Sequence, residues 1–251
     1  MYESATVALT TASGVERVFP YRLMRPDPEA AGDTHPLVVF LHGAGERGSD
    51  NRRQLTYLPE WMASEEHRRN HPCFLLAMQC PEGEFWAPYD KERDMAPIPG
   101  PPVDALLALI RAIDEVTDAE PIDLERVYLT GLSMGGYGTW RLASLQPGRF
   151  AAVVPICGGG DPADAKALAG QSIWAVHGTR DAVVPERRSL DMVEAIRAAG
   201  GDVRYSALEG VHHDSWTPAY RRLGVIEWMF GKRLPSGAQG GTDSEKPTTS
   251  N

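Results

Sequence analysis

Val127-Tyr128-Leu129-Thr130-Gly131-Leu132-Ser133-Met134-Gly135 is the stretch that decides the fold, and a helix-compatible segment, residues 137–145, follows it. An apolar run that leads into Gly-x-Ser-x-Gly and then into a helix predicts a sharp strand-to-helix turn, the nucleophile elbow. In such a turn the serine hydroxyl stands clear of the sheet, and the flanking glycines remove side chains that would collide with neighbouring backbone. Ser133 is therefore a candidate nucleophile for attack on acyl groups.

Similar apolar runs recur along the chain. They are apolar throughout rather than alternating, which is typical of strands buried on both faces of a parallel sheet: 37–41, 74–78, 127–130, 152–156 and 173–177. A further strand is expected at 203–208. Helical patterns lie between or after these strands, at about 54–69, 103–117, 136–145, 186–199 and 217–230. The alternation predicts an α/β protein with a mostly parallel, doubly wound sheet, in which ligands collect at the carboxyl ends of the strands.

The two ends of the chain differ from this pattern. Residues 6–10 and 17–23 alternate apolar and polar side chains around Gly14, which predicts an antiparallel hairpin at the sheet edge. Residues 235–251 contain no large apolar side chain, so we expect a disordered tail there. One catalytic domain over residues 1–234 is expected, with no large cap domain because no insertion between strands is long enough to build one.

The composition limits the classes of partner. The chain has 251 residues, of which 42% are hydrophobic, and a formal net charge of -9. Its basic patches are no longer than pairs of arginines, so we expect no nucleic-acid partner. No stretch approaches the roughly 18 apolar residues of a membrane span, and residues 1–18 lack the apolar region of a signal peptide. We therefore expect a cytoplasmic protein with no membrane partner; the oligomeric state is not predicted.

The cysteine and histidine spacings argue against a metal centre. Cys73, Cys80 and Cys157 are odd in number and form no Cys-x-x-Cys pair, so we expect buried, unpaired thiols. His42 and His177 each end a predicted strand without His-x-x-x-His or acidic partner spacing, so they are expected to brace their loops by hydrogen bonds. We expect neither a metal nor a cofactor.

A serine nucleophile needs a base and a group that orients the base. Asp181 lies in the loop after the predicted strand 173–177, and His212 and His213 follow the strand 203–208. The chain order Ser, Asp, His and the position of all three in loops at one end of the sheet predict a catalytic triad. The residues alone leave His212 open as the alternative to His213.

Acyl transfer also needs donors for the developing oxyanion. The backbone N–H of Met134, the residue after the serine, is one candidate, and the Gly-rich loop 42–48 supplies the second. Within that loop we favour Ala44, with Gly45 as the alternative donor or a substrate contact. Trp86 emerges beside this loop and is predicted either to line the substrate pocket or to anchor its own loop.

Four motifs together resemble a known family: LHGAGERG at 41–48, GLSMGGYGTW at 131–140, HGTRD at 177–181 and HDSW at 213–216. They are similar to the phospholipase/carboxylesterase-like α/β-hydrolases, and within these to the group called "predicted peptidase", related to feruloyl esterases and polyhydroxybutyrate depolymerases. The resemblance implies the α/β-hydrolase fold and a carboxylic-ester hydrolase with a small-molecule ester substrate. It also favours His213, because the family's catalytic histidine precedes Asp or Asn and then Ser-Trp. The expected absence of a signal peptide would set the chain apart from many secreted polymer-degrading relatives.

These observations lead to one hypothesis and two alternatives. The hypothesis is a serine carboxylesterase that acts on small or medium esters through Ser133, His213, Asp181 and an acyl-enzyme intermediate. The first alternative is a serine peptidase of the prolyl-oligopeptidase type on the same scaffold. The second is a non-catalytic binding protein, for which an intact triad is atypical.

Overall fold

A computed structural model describes residues 1–236, and ten strands are found in this part of the chain. Eight form the central sheet in the order β1-β2-β4-β3-β7-β8-β9-β10. The strands are β1 Tyr2–Thr10, β2 Glu16–Met24, β3 His35–Leu41, β4 Phe74–Met78, β5 Tyr89–Asp90, β6 Ala96–Pro97, β7 Ile122–Leu132, β8 Ala152–Ile156, β9 Ile173–Gly178 and β10 Val203–Leu208. The predicted tail lies outside the described residues from position 237 onward.

The sheet is mostly parallel. Strands β4, β3, β7, β8, β9 and β10 pair in parallel, whereas β1 pairs antiparallel with β2 and β2 pairs antiparallel with β4. The N-terminal hairpin therefore forms one edge of the sheet, as the alternating residues predicted. The predicted mostly parallel α/β-hydrolase sheet is confirmed.

Helices cover both faces of the sheet. The helices are α1 Leu58–Met62, α2 Glu65–Asn70, α3 Asp104–Ala119, α4 Met134–Leu145, α5 Ala165–Leu168, α6 Arg187–Ala198, α7 Trp216–Arg222 and α8 Val225–Phe230. Strand β3 is buried along its whole length: Leu37, Val39 and Leu41 pack with the layer of α3, α4 and α6, while Val38 and Phe40 pack with that of α1, α7 and α8. Burial on both faces explains why the inner parallel strands β3, β4 and β8 are apolar, whereas the edge strand β10 is only partly buried and carries polar residues.

Two predicted helices are broken in the structure. The segment 54–69 forms a short 3-10 turn and then α1 and α2, because Pro59 lacks an N–H at the start of α1 and Ser64 caps α2 by accepting from the His67 N–H. The segment 217–230 divides at Gly224, whose φ of 78° ends one helix and starts the next. Capping and left-handed backbone are local features that hydrophobic periodicity does not register.

The three cysteines are buried and unpaired, as their spacing predicted. The segment between β4 and α3 carries only the two-residue strands β5 and β6, which pair with each other. Between β4 and α3 the structure contains no helix, so this segment does not form a helical cap.

The turn after β7 is held by close backbone contacts. Ser133 adopts φ 55° and ψ -119°, and its N–H donates to the Ile156 carbonyl at 2.9 Å. A Cβ at Gly135 would lie 2.0 Å from the Leu41 carbonyl oxygen, and one at Gly131 would lie 2.5 Å from the Gly135 carbonyl oxygen. Real Cβ atoms do not approach backbone so closely, so only glycine fits at both flanks of the serine.

We expect Gly135→Ala to destabilise the protein, because the added methyl group meets rigid backbone of β3 and has no flexible neighbour to displace. The free energy of unfolding should fall by about 1–3 kcal/mol or more, the usual cost of overpacking. Urea denaturation followed by circular dichroism measures it. The matched control is Gly170→Ala, where an added Cβ has no neighbour within 4 Å and φ is not in the left-handed region. Equal stability of Gly135→Ala and wild type would contradict the proposed packing constraint.

Candidate active site

Three side chains meet at the carboxyl ends of β7, β9 and β10. Ser133 Oγ lies 2.9 Å from His213 Nε2, and His213 Nδ1 lies 2.7 Å from Asp181 Oδ2. The three residues are far apart in the chain but follow strands of one sheet, as their loop positions predicted. The arrangement links a hydroxyl, an imidazole and a carboxylate in one hydrogen-bonded chain.

The carboxylate of Asp181 is held from both oxygens. Oδ1 accepts from the backbone N–H groups of Val183 and Val184, each at 2.9 Å, and Oδ2 accepts from His213. Burial by itself would raise the pKa of Asp181, but hydrogen bonds from His177, His213 and the Val184 amide outweigh it and hold the pKa well below its usual range. Asp181 is therefore an anion that accepts from the Nδ1–H of His213 and leaves Nε2 to face the serine.

The second histidine of the pair lies outside this chain of hydrogen bonds. His212 is exposed, and its Nδ1 contacts the backbone carbonyl of Arg180 at 3.1 Å. His213 instead packs edge-on against Trp216, with ring centroids 5.3 Å apart and planes at 87°. The structure therefore brings His213, and not His212, to Ser133.

The Gly-rich loop after β3 lies beside the elbow. Gly43, Ala44 and Gly45 line the same cleft as Ser133, and a Cβ at Gly43 would lie 2.9 Å from the Leu132 side chain. Met134 begins α4 directly after the serine. The predicted oxyanion donors, Met134 and Ala44, thus come from two segments that border the nucleophile, and Gly45 is exposed at the rim of the cleft.

His42 braces this loop. Its Nε2 accepts from the Cys80 N–H at 2.9 Å, so Nδ1 carries the ring hydrogen and donates to the Gly43 carbonyl at 2.6 Å. Burial lowers the pKa of His42 to about 4, although its bond to Gly43 acts in the opposite direction. The ring is neutral near pH 7 and fixes the backbone that precedes Ala44.

The structure does not bring Trp86 to the cleft. Its indole is fully buried and donates to the His42 carbonyl at 3.1 Å, because a buried indole N–H needs an acceptor. The same side chain packs against α4, where a Cβ at Gly138 would lie 2.4 Å from that of Trp86. Of the two predicted roles, the loop anchor fits this position and the pocket wall does not.

The cleft above Ser133 has a volume of about 480 Å³ and opens to solvent. Its apolar walls come from residues that sequence reasoning missed: Tyr57, Tyr89, Met95, Val183 and Trp216. The wall residues lie on separate loops without a shared spacing, so the sequence carries no common signal for them.

Three possible metal-ligating side chains meet within the described residues: Cys157, Asp181 and His213, whose ligand atoms lie within 4.8 Å of one another. Burial raises the pKa of the Cys157 thiol well above its usual range, which opposes the thiolate that a metal would need. Asp181 and His213 already bond to each other at 2.7 Å. The donor set fits a hydrogen-bonded triad better than a metal site.

No helix between residues 1 and 236 is both long enough and apolar enough to cross a membrane.

Similarity to solved structures extends over most of the chain. A thermostable esterase is 40% identical with a TM-score of 0.81, over 92% of this chain and 63% of that one. The chain thus spans a little under two thirds of that esterase. The acylaminoacyl peptidase of Pyrococcus horikoshii is 17% identical with a TM-score of 0.64, over 93% of this chain and 42% of that one. At that identity the likeness to the peptidase shows the fold alone.

Sequence comparison agrees with the fold. "Putative esterase NocK" of Nocardia uniformis subsp. tsuyamanensis is 26% identical over 97% of this chain and 69% of that protein. The model of the Dienelactone hydrolase family matches residues 89–221, more than half of the chain, a range that includes all three residues of the hydrogen-bonded chain at the sheet edge. The protein belongs to the dienelactone hydrolase family and has the α/β-hydrolase fold.

Proposed function

We propose that the protein is a serine carboxylic-ester hydrolase that acts on small or medium esters. The observation that carries this proposal is the chain of hydrogen bonds from Ser133 Oγ through His213 to Asp181, with distances of 2.9 and 2.7 Å. A serine hydroxyl is a weak nucleophile unless a base accepts its proton, and this geometry supplies that base in an oriented form.

Acylation of the enzyme begins with attack of Ser133 Oγ on the ester carbonyl carbon. The serine proton passes to His213 Nε2, and the positive charge on the ring is stabilised by Asp181. The backbone N–H groups of Met134 and Ala44 donate to the oxyanion of the tetrahedral intermediate. The intermediate then breaks its bond to the alcohol oxygen, which leaves with the proton from His213.

Deacylation repeats these steps with water. His213 Nε2 takes a proton from the attacking water, and the new oxyanion is held by the same two amides. Collapse of the second intermediate returns the proton to Ser133 Oγ and releases the carboxylic acid. Apart from the ester and water, each step uses only residues of this chain.

Two features favour an ester over a peptide as substrate. The relatives that are 40% and 26% identical are named esterases, whereas the likeness to acylaminoacyl peptidase is at 17% identity. The cleft is open and about 480 Å³ in volume, which suits a small or medium ester whose specificity depends on few contacts. The binding-protein alternative is disfavoured because each residue of the triad is present and in hydrogen-bond contact.

Replacing the base tests the mechanism. His213→Ala should lower kcat for p-nitrophenyl acetate by about 10³-fold or more, because no other group can accept the serine proton. His212→Ala is the matched control and should retain near wild-type kcat, since His212 is exposed and contacts only the Arg180 carbonyl. A large loss in His212→Ala, with His213→Ala active, would reverse the assignment.

Covalent labelling tests the nucleophile. A fluorophosphonate probe should label the wild-type protein once, at Ser133, and should not label Ser133→Ala. Mass spectrometry of the labelled peptide checks the position. A natively folded wild-type protein that resists labelling would contradict the proposed serine mechanism.

A substrate panel tests the choice of ester. We expect kcat/KM to be higher for acetyl and butyryl than for dodecanoyl p-nitrophenyl esters, because the open cleft cannot enclose a long chain. Feruloyl and acetyl-sugar esters extend the panel, with Ser133→Ala as the blank. Hydrolysis of a short peptide p-nitroanilide at a rate close to that of the acetyl ester would favour the peptidase alternative instead.

A further inference from the structure

A second histidine contacts the triad carboxylate. His177 lies in β9, four residues before Asp181, and its side chain is fully buried. His177 Nε2 lies 3.3 Å from Asp181 Oδ2, the same oxygen that accepts from His213 Nδ1 at 2.7 Å. The mechanism described above makes no use of this ring.

The surroundings of His177 determine where its hydrogen lies. Nε2 is 2.9 Å from the Val184 carbonyl oxygen as well as 3.3 Å from Asp181 Oδ2, and an ionised carboxylate and a carbonyl can only accept. A lone pair on Nε2 would face two negative oxygens without a hydrogen between them. Nε2 therefore carries a hydrogen.

The other ring nitrogen is compatible with two arrangements, and both keep that hydrogen. Nδ1 lies 2.7 Å from Ser189 Oγ, which also lies 2.9 Å from the Gly158 carbonyl. If the Ser189 hydroxyl donates to Nδ1, the ring is neutral; if it donates to Gly158, Nδ1 also carries a hydrogen and the ring is an imidazolium. In either case Nε2–H donates to the Val184 carbonyl, and the same nitrogen lies 3.3 Å from Asp181 Oδ2.

The carboxylate thus has donors on both oxygens. Val183 and Val184 fix Oδ1, while His213 and His177 share Oδ2. A second donor at the same carboxylate oxygen draws negative charge away from the first donor. It also limits rotation of the carboxylate plane. His177 is placed to do both.

We propose that His177 is a positioning residue of the active site, whose Nε2–H shares Asp181 Oδ2 with His213 and so tunes the strength with which Asp181 stabilises protonated His213. The inference rests on the proposed function. It predicts a specific direction of change: without the Nε2–H, Asp181 stabilises the His213 cation more strongly.

Other titratable groups face Asp181 from the packed elements. Cys157 follows β8 and its thiol lies within 4.8 Å of the ligand atoms of Asp181 and His213. Tyr137 of α4 has its pKa raised, mainly by burial, with the charge of Asp181 among the smaller causes. Burial raises the pKa values of both groups above the range in which esterases are assayed, so both stay neutral across that range.

The test compares His177→Phe with His177→Gln. Phenylalanine fills the space but has no donor, so the acid limb of the kcat/KM profile should move to higher pH by about 0.5–1 unit, with a lower plateau. Glutamine can place an amide N–H near the position of Nε2, so the acid limb of the His177→Gln profile should stay close to that of wild type. A role in packing alone would lower the plateau in His177→Phe and leave the limb in place, and that result would overturn the proposal.

Tautomer measurement on the wild-type protein keeps the proposal testable if His177→Phe does not fold. With ¹⁵N-labelled histidine, the His177 Nε2 signal should be that of a protonated nitrogen on both sides of the acid limb. An Nε2 signal typical of a nitrogen without an attached hydrogen would overturn the proposal. This readout does not depend on turnover, so it separates the proposal from failure of the esterase assignment, which would appear as wild-type protein without activity toward any ester.

Discussion

Close approach of helix α4 to the sheet is the constraint on which the site depends. The helix starts directly after Ser133, and at Gly135 and Gly136 its backbone touches the backbone of β3 and β8, while Gly138 leaves room for the Trp86 side chain. Gly158, after β8, meets the same helix at Gly136. This packing fixes the backbone at Ser133, and in the proposed mechanism the positive end of the helix dipole would stabilise the oxyanion.

Buried hydrogen bonds fix the conformation of the loops around the serine. His42 and Trp86 make hydrogen bonds that fix the loop before Ala44. Burial keeps the His42 ring neutral because it lowers the pKa of His42 to about 4. Around Asp181, two backbone amides donate to one carboxylate oxygen, and two imidazoles lie 2.7 and 3.3 Å from the other. Donors preset in a low-dielectric site need little reorganisation when charge develops during the reaction.

The sequence predicted the sheet and the residues at its edge because both depend on strong local patterns. Strands buried on two faces are mostly apolar, and Ser133 and Asp181 each follow such a strand, while His213 follows the partly exposed edge strand β10. The breaks at Pro59 and Gly224 were missed, since proline and left-handed glycine interrupt a helix without changing its apolar period. The residues alone left the choice between His212 and His213 open, because adjacent loop residues can face opposite sides, and the family resemblance favoured His213.

The cleft walls could not be predicted for a related reason. Tyr57 reaches the cleft through a backbone with φ 67° and ψ -117°, a conformation rare for a bulky residue and invisible to periodicity. Trp86 shows the opposite case: an aromatic beside the active-site loop in sequence is turned inward, because its N–H finds an acceptor at His42 and its ring fills the space left by Gly138. The position of Trp86 in the sequence thus indicates which loop the side chain supports. Whether such a side chain faces the cleft depends on where its polar atoms find a hydrogen-bond partner, and the sequence does not give that position.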